Sequence, residues 1–196
     1  MLDPLVLIFL TSGLFLGWAL GANDAGNVFG TAVGTKMVSW RTAAIICSIF
    51  VVLGAIVSGA GTSQTLGKLG AISALPGAFM TALSAAFAVY AMTKFGLPVS
   101  TSQAIVGAII GWNFFSNNPT DISTLTKILS TWIICPLLSG VIAIILYQTI
   151  KFSARRVHIH MIRADAYQRV ALIIAGALGA YSLGANNIAN VVGVFI

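Results

Sequence analysis

Charged residues are scarce in this chain. Asp, Glu, Lys and Arg make up 7% of its 196 residues, and only four residues are acidic. Soluble domains carry about 25% charged residues, so the composition excludes a soluble domain. Apolar residues are abundant instead, at 58%, with a mean hydropathy of +1.00. The chain is therefore predicted to lie in a lipid bilayer. A net charge of +6 can indicate a nucleic-acid partner, but here the basic residues are sparse outside one stretch, 151–169, so none is expected.

Cysteine and histidine are also rare, with two residues of each. Cys47 and Cys135 lie within apolar runs and show no spacing typical of a metal site, so we expect neither a disulfide nor a metal cofactor. His158 and His160 lie in the basic stretch, far from the serines of the apolar segments. A nucleophile paired with a base is therefore not expected, and the sequence does not predict an enzyme.

Six apolar runs follow one another and predict membrane helices: 5–20, 43–60, 76–92, 99–115, 128–150 and 170–183. The predicted fold class is an all-α polytopic membrane protein. A helix over 5–35 would be about 46 Å long at about 1.5 Å per residue, against a hydrocarbon core of about 30 Å. We expect this helix to break between Gly21 and Gly26, where freed backbone groups can face a polar cavity.

A ten-residue signature occurs twice in the chain. Residues 21–30 read GANDAGNVFG and residues 184–193 read GANNIANVVG, so eight of ten positions are identical or closely similar. Carboxylates and carboxamides inside apolar segments cost free energy, and their repetition favours a binding site over packing alone. The copies are expected to run in opposite directions across the membrane. They therefore predict an inverted-repeat secondary transporter with broken helices.

Basic residues orient the predicted spans. Lys36, Arg41 and the basic stretch fall on one side if the N-terminus lies outside, in agreement with the positive-inside rule. We therefore predict an integral protein of the plasma (inner) membrane. Its organisation is predicted as a first inverted repeat over 1–150, a basic cytoplasmic loop over 151–169, and the truncated start of a second repeat over 170–196.

A Ser/Thr-rich element over 96–104 reads GLPVSTSQA. Pro98 suits the first turn of a helix, and the hydroxyl of Ser100, Thr101 or Ser102 can cap it. Free N–H groups and the positive pole of the helix would form an anion site there, although a simple cap is the alternative. The element joins the third and fourth apolar runs, which form either two full spans or a re-entrant helical hairpin with its tip inside the protein.

Together these motifs resemble the PiT family of inorganic phosphate transporters. The resemblance rests on Gly-Ala-Asn-Asp with a following Asn, its later copy, and Pro-Val-Ser-Thr-Ser-Gln-Ala, and it covers essentially the whole chain. It implies an inverted-repeat membrane protein that takes up inorganic phosphate together with sodium or protons, with the substrate between the repeats. No cofactor is expected besides sodium as the coupling ion.

The motifs predict which residues bind each ion. Asp24 is the only carboxylate expected inside the membrane, so we predict that it binds sodium; pairing with Lys36 or Arg41 is the alternative. Asn23 and Asn187 are predicted to complete the cation site. The predicted phosphate ligands are hydroxyls and carboxamides: Asn23, Asn27, Ser100, Thr101, Ser102, Gln103, Asn186 and Asn190.

Departures from the family pattern leave alternatives open. Asn187 stands where the family usually has Asp, which leaves open whether sodium or protons couple to transport. Gln103 stands where many members have a titratable His. A second Ser/Thr-rich element does not follow the second signature within these 196 residues, so a half subunit that needs a complementary chain, or a homo-oligomer, is an alternative. A carrier of sulfate or another tetrahedral oxyanion is a further alternative, since hydroxyl and N–H donors bind such anions similarly.

Overall fold

The computed structural model describes residues 4–60, 69, 75–97, 99–156 and 160–195, without the side chains of residues 154 and 155. Six helices lie within these residues: α1 (Pro4–Gly34), α2 (Trp40–Ser58), α3 (Leu75–Lys94), α4 (Thr101–Phe115), α5 (Ile122–Arg156) and α6 (Met161–Val192). By length and composition, five of the described helices can cross a membrane; α4, with 15 residues, is shorter. The prediction of an all-α polytopic membrane fold is confirmed.

The predicted break in the first helix is wrong. α1 is a continuous helix of 31 residues through Gly21 and Gly26, and α6 likewise continues through the second signature to Val192. A glycine inside a helix costs only about 1 kcal/mol relative to alanine, which does not by itself break the helix. Apart from Asn27, the polar side chains of both signatures find partners on neighbouring helices, so no backbone group has to be freed to satisfy them.

α1 and α6 pack against each other in opposite directions. Gly13, early in α1, lies beside Val191 at the end of α6, whereas Phe29, late in α1, lies against Gly176 in the middle of α6. The two helices that carry the signatures are therefore antiparallel, as expected for copies in an inverted repeat.

α2 runs parallel to α6 and touches its backbone. Gly54 of α2 faces the Tyr181 carbonyl and the Ala185 amide of α6, and Gly184 of α6 faces the Val51 carbonyl of α2. Because neither glycine has a Cβ, the two backbones can approach closely, as small residues permit in membrane helix pairs.

Replacing Gly54 with alanine is expected to destabilise this helix pair, because the new Cβ would overlap the Tyr181 carbonyl. Overpacking costs about 1–3 kcal/mol, and here the obstacle is backbone. We expect the midpoint of thermal unfolding in detergent to fall by about 2–12 °C. Gly107→Ala in α4 is the matched control, since a Cβ there meets nothing within 4 Å. Equal midpoints for both variants would contradict the close packing of α2 on α6.

α3 and α4 form a hairpin beside α1. α3 runs parallel to α1, as the ring pairs Phe9–Phe79 and Phe15–Phe87 show, with centroids 5.8 and 5.4 Å apart. α4 then returns, so that Trp112 near its end lies against a glycine at the start of α3. Both outer ends of the hairpin therefore lie toward the N-terminal end of α1.

The tip of the hairpin lies beside the first signature, because Thr93 in the last turn of α3 is hydrogen-bonded to Asn23 of α1. The turn begins at Gly96, whose φ of 69° suits glycine. Leu97 N–H donates to the Met92 carbonyl and Gly96 N–H to the Thr93 carbonyl, the two bonds of a Schellman motif. These two runs therefore form a helical hairpin whose tip meets the first signature partway along α1. Pro98 lies outside the described residues.

The main core lies between α1, α3 and α4. Leu16 and Ile105 are fully buried in it, and α3 contributes mostly alanines, including Ala82 and Ala86. These small side chains bring the hairpin close to α1. The core therefore fixes the depth at which the hairpin tip meets the first signature.

α5 begins directly after an acidic cap. The Asp121 carboxylate accepts hydrogen bonds from Ser123 N–H at 2.9 Å and from the Thr124 hydroxyl at 2.6 Å. The Thr124 hydrogen bond holds the pKa of the Asp121 carboxyl below its usual range. An acidic group at a helix N-terminus is also favoured by the helix dipole.

The basic stretch 151–169, predicted as a loop, is helical over most of its described length, so a loop of that length is wrong. α5 extends to Arg156 and α6 begins at Met161, after His160 accepts a hydrogen bond from Ile162 N–H. Lys and Arg are good helix formers, so both helices continue past their apolar parts. His158 lies outside the described residues.

Candidate functional site

Asp24 lies where α1, α6 and the hairpin tip meet, and its side chain is buried. The carboxylate atom Oδ2 accepts a hydrogen bond from Asn187 Nδ2 at 2.7 Å and a longer one from Thr101 Oγ1 at 3.4 Å. Asp24 and Asn187 are 163 positions apart, which is the offset between the two signatures. The two signature helices therefore touch at equivalent residues.

Asn23 ties the first signature to the hairpin. Its amide group lies 2.9 Å from the Thr93 hydroxyl. With the amide oriented so that its oxygen accepts from Thr93, its nitrogen donates to the Val99 carbonyl at 3.2 Å and to Asp24 Oδ1 at 3.1 Å. In this orientation both oxygens of the carboxylate accept hydrogen bonds, all of them from neutral donors.

The second signature contacts the start of α4. Asn190 is buried and donates from Nδ2 to Ser102 Oγ at 3.1 Å and to Asn187 Oδ1 at 3.1 Å. Asn186 Nδ2 also lies 3.4 Å from Ser102 Oγ. The Ser102 hydroxyl makes no other hydrogen bond within the described residues, so its hydrogen can be donated to an anion.

The start of α4 supplies the expected helix N-terminus. Ser100 is its N-cap, and Ser100 Oγ accepts from Gln103 N–H at 3.4 Å. The following residues, Thr101 and Ser102, are in the first turn, where backbone N–H groups have no partner within the helix. The positive pole of α4 is therefore directed at the site, a few ångströms from Asp24.

We call the assembled set the polar junction; it consists of Asn23, Asp24, Thr101, Ser102, Asn186, Asn187 and Asn190. Three further predicted residues behave differently. Asn27 and Gln103 are exposed, and neither side chain has a hydrogen-bond partner among the described residues. Ser100 uses its hydroxyl as the helix cap. Sequence reasoning missed Thr93, because a threonine within an apolar run gives no sign of the hairpin that brings it to Asn23.

Within the described residues, no cationic side chain pairs with Asp24. The ion pair found there joins Arg169 to Asp165, at 3.3 Å, and both of these side chains are exposed. Neither Lys36 nor Arg41 forms an ion pair with Asp24, so the alternative pairing is not found. A negative group that is buried without a cation favours the binding of one.

The donor set consists of hard oxygen donors, which suit a hard cation. In the described part of the chain, no three His, Cys, Asp or Glu side chains come together. The polar junction instead offers a carboxylate, carboxamide oxygens and hydroxyls, which are hard oxygen donors of the kind that bind hard cations. An anion can be held beside them by Ser102 and the N-terminus of α4.

The fold and the polar junction define a class of protein: a polytopic membrane protein in which antiparallel signature helices and a helical hairpin meet at a buried polar site, as in secondary transporters. The model of the phosphate transporter family matches residues 20–196, and the chain belongs to this family. The resemblance indicated by the motifs is therefore confirmed.

Several relatives carry names that fit this family. The chain is 30% identical over 76% of its length to a Pyrococcus furiosus protein and 30% identical over 95% of its length to a Methanocaldococcus jannaschii protein, both named "Putative phosphate permease". It is 34% identical over 67% of its length to sodium-dependent phosphate transporter 1 of Mus musculus. The chain spans only 39%, 58% and 21% of the length of these relatives.

A solved structure described as "The sodium-dependent phosphate transporter" has a similar fold. The comparison gives a TM-score of 0.79 and 21% sequence identity, and it covers 98% of this chain and 66% of that chain. The likeness shows a shared helical architecture. It includes nearly the whole chain, so α1 to α6 all have counterparts in a known membrane protein fold.

Proposed function

We propose that this chain is part of a secondary transporter that takes up inorganic phosphate together with sodium. The observation that carries the proposal is the buried Asp24 carboxylate, which has no cationic partner among the described residues and lies beside the N-terminus of α4. One site can therefore bind a cation and an anion side by side. The family and the names of the relatives point to phosphate and sodium as these ions.

The cation is assigned to the carboxylate. Sodium would bind at Asp24, with carboxamide oxygens of Asn23 and Asn187 as further ligands. Both amides lie within hydrogen-bond distance of the carboxylate with their nitrogens toward it, so cation binding requires each amide to turn until its oxygen faces Asp24. Asn187 is neutral where the family usually has a second carboxylate. Because that charge is missing, we propose that few sodium ions bind in each transport cycle.

Phosphate is assigned to the hairpin side of the polar junction. Its oxygens would accept hydrogen bonds from Ser102, from the amides of Asn186 and Asn190, and from N–H groups at the start of α4, where Thr101 and Gln103 lie. Asn27 is exposed and free to reach the same substrate from α1. Each bound ion lowers the electrostatic cost of the other, which couples the two movements.

The proposed setting is the plasma membrane, with the N-terminus outside and the basic ends of α5 and α6 in the cytoplasm. The positive-inside rule supports this orientation, since Lys151, Arg156 and Arg163 all lie near the α5–α6 connection. Transport, not catalysis, is the role proposed, in line with the family.

The test is uptake of labelled phosphate into liposomes that contain the purified chain, with and without an inward sodium gradient. Uptake that needs the sodium gradient and is not blocked by excess sulfate would support the proposal. Uptake driven equally by a proton gradient without sodium would replace sodium by protons, and block by sulfate would favour a general oxyanion carrier.

A half subunit is the second candidate, because the chain spans only 39% of the Pyrococcus furiosus relative. Under this alternative the chain alone binds the ions but does not move them. Sodium-dependent phosphate binding without uptake from folded protein would favour it. Co-reconstitution with a chain that supplies the remaining family sequence would then restore uptake.

A further inference from the structure

Three basic side chains lie close together in the chain where α5 ends and α6 begins. Lys151 and Arg156 are in the last two turns of α5, and Arg163 is in the first turn of α6. All three are exposed, and none of them forms an ion pair within the described residues. The carboxylate of Asp165 is also in this stretch, but it is paired with Arg169 at 3.3 Å. The stretch therefore has positive charges that no carboxylate of the described chain compensates.

Large apolar side chains are exposed in the same stretch. Phe152 is 58% exposed, Met161 82% and Ile162 74%. They lie beyond the apolar runs 128–150 and 170–183, so the hydrocarbon core does not account for their exposure. Basic residues interleaved with exposed apolar ones are typical of helices that bind at a membrane surface. The stretch is therefore suited to the boundary between lipid headgroups and acyl chains.

Aromatic rings accompany two of the cations. Lys151 Nζ lies 5.6 Å from the centroid of the Tyr147 ring, and the guanidinium carbon of Arg156 lies 4.2 Å from the centroid of the Phe152 ring. Each ring is four residues before its cation, on the same face of α5. Tyrosine is enriched at the membrane–water interface, and an aromatic face attracts a cation placed over it. Both pairs therefore hold positive charge against an apolar surface.

Helix geometry places these cations at headgroup depth. The apolar run 128–150 is about 35 Å long at about 1.5 Å per residue, slightly more than the hydrocarbon core of about 30 Å. Lys151 follows this run directly, and Arg156 lies about 9 Å past it. Arg163 lies about 10 Å before the apolar run 170–183. The headgroup region is about 5–8 Å deep on each side, and long basic side chains reach along it. All three cations can therefore meet the headgroups of one leaflet.

We propose that this part of the chain, residues 151–156 and 160–169, is a docking surface for anionic lipid headgroups; we call it the basic elbow. The phosphodiester of a lipid such as phosphatidylglycerol accepts hydrogen bonds from the guanidinium groups of Arg156 and Arg163, and the Lys151 ammonium adds positive charge. The exposed apolar side chains contact the first carbons of the acyl chains. Each basic residue near an anionic membrane surface raises the affinity about fivefold. The proposal does not depend on which ions the chain transports.

Free phosphate offers the same chemistry as a headgroup but fits this surface less well. The cations of the basic elbow are exposed, so water and salt screen their attraction for a small ion. A lipid stays beside the elbow in the membrane, and its acyl chains cover the apolar side chains that a free ion leaves in water. An acidic protein segment would likewise leave Met161 and Ile162 uncovered. The observations therefore favour a lipid.

The test measures the affinity of the full chain for two lipids in neutral detergent. The probe is phosphatidylglycerol with a dye on its acyl chain, binding is followed by fluorescence anisotropy, and phosphatidylcholine with the same acyl chains and dye is the comparison. We expect the wild type to bind phosphatidylglycerol at least about tenfold more tightly than phosphatidylcholine. The triple variant Lys151→Gln, Arg156→Gln, Arg163→Gln should bind phosphatidylglycerol about 100-fold more weakly than the wild type. Its affinity for phosphatidylcholine should be unchanged.

The matched control is the triple variant Lys36→Gln, Lys94→Gln, Lys127→Gln. It also removes three exposed positive charges, all of them outside the basic elbow. It should bind phosphatidylglycerol like the wild type. Because every substituted side chain is exposed, both triple variants should keep the helical content of the wild type by circular dichroism.

Several results would overturn the proposal. Equal affinity of the wild type for both lipids would leave no role for the headgroup, and equal losses in the two triple variants would reduce the effect to net charge. Displacement of the dye-labelled lipid by excess inorganic phosphate, but not by excess chloride, would replace the lipid by free phosphate. Displacement by a polyglutamate peptide at lower concentration than by unlabelled phosphatidylglycerol would replace it by an acidic protein segment.

Discussion

Replacing Asp24 with asparagine is expected to abolish the sodium dependence of phosphate binding. The substitution keeps the size of the side chain but removes the buried charge that lies 2.7 Å from Asn187 Nδ2. Loss of one charge from a buried pair costs about 3–5 kcal/mol, and about 1.4 kcal/mol corresponds to a factor of ten. We expect at least about a 100-fold loss of sodium affinity, measured by sodium titration of labelled phosphate binding to the purified chain.

Asp165→Asn is the control for this change. Asp165 is also paired, with Arg169, but it is exposed at the start of α6 and far from the polar junction along that helix. Its binding of labelled phosphate should depend on sodium concentration in the same way as that of the wild type. An Asp24→Asn variant that is folded, as shown by circular dichroism, and still requires sodium for phosphate binding would remove Asp24 from the cation site.

Replacing Ser102 with alanine is expected to weaken phosphate affinity more than sodium affinity. Ser102 Oγ accepts from Asn190 and Asn186, so its loss leaves the buried Asn190 amide with one partner fewer and removes a donor for the anion. An unsatisfied buried polar group costs about 1–3 kcal/mol. Phosphate affinity should therefore fall by about 10-fold to 100-fold in competition binding at saturating sodium.

Ser84→Ala provides the comparison, because Ser84 is an exposed serine whose hydroxyl bonds to the Met80 carbonyl of its own helix, α3. It should bind phosphate like the wild type. If Ser102→Ala and Ser84→Ala have the same phosphate affinity, Ser102 is a structural residue. If Ser102→Ala loses sodium and phosphate affinity equally, the division of the polar junction into a cation side and an anion side is wrong.

Much of the fold follows from patterns that the sequence repeats. The repeated signature, with spans oriented by the positive-inside rule, predicts antiparallel copies, and Asp24 does contact its equivalent, Asn187. Hydropathy does not distinguish a re-entrant hairpin from two full spans, because it does not show how deep a segment lies in the membrane. The contact of Thr93 with Asn23 shows that the two runs form a hairpin whose tip lies at the first signature; its depth in the membrane stays a prediction.

The break expected in α1 illustrates what sequence alone does not show. Glycines on both sides of Asn23 and Asp24 are compatible with a break, but they are equally compatible with a helix that other helices approach closely. Which applies depends on tertiary partners: Asn187 and Thr101 satisfy the carboxylate by side-chain bonds, so the helix stays intact. The contact surface formed by glycines of α2 and α6 likewise becomes evident only once these helices are placed together.

The structure brings the predicted site residues together most completely where a side chain belongs to a signature. The structure brings together five signature residues and two from the start of α4, the members of the polar junction: Asn23, Asp24, Asn186, Asn187, Asn190, Thr101 and Ser102. It leaves the side chains of Asn27 and Gln103 without partners in the described chain, so their assignment to phosphate stays a prediction. A motif gives residue types and order, whereas the partners of each amide depend on how the helices cross.

Equilibrium binding of labelled phosphate to the purified, folded chain, in sodium chloride and in choline chloride, is the most direct test of the polar junction as a site for both ions. We predict saturable binding in sodium, displacement by unlabelled phosphate, and at least about tenfold weaker binding in choline. Equal binding in both salts would contradict coupling of the two ions at Asp24. No phosphate binding in either salt, from protein with full helical content, would contradict the site itself.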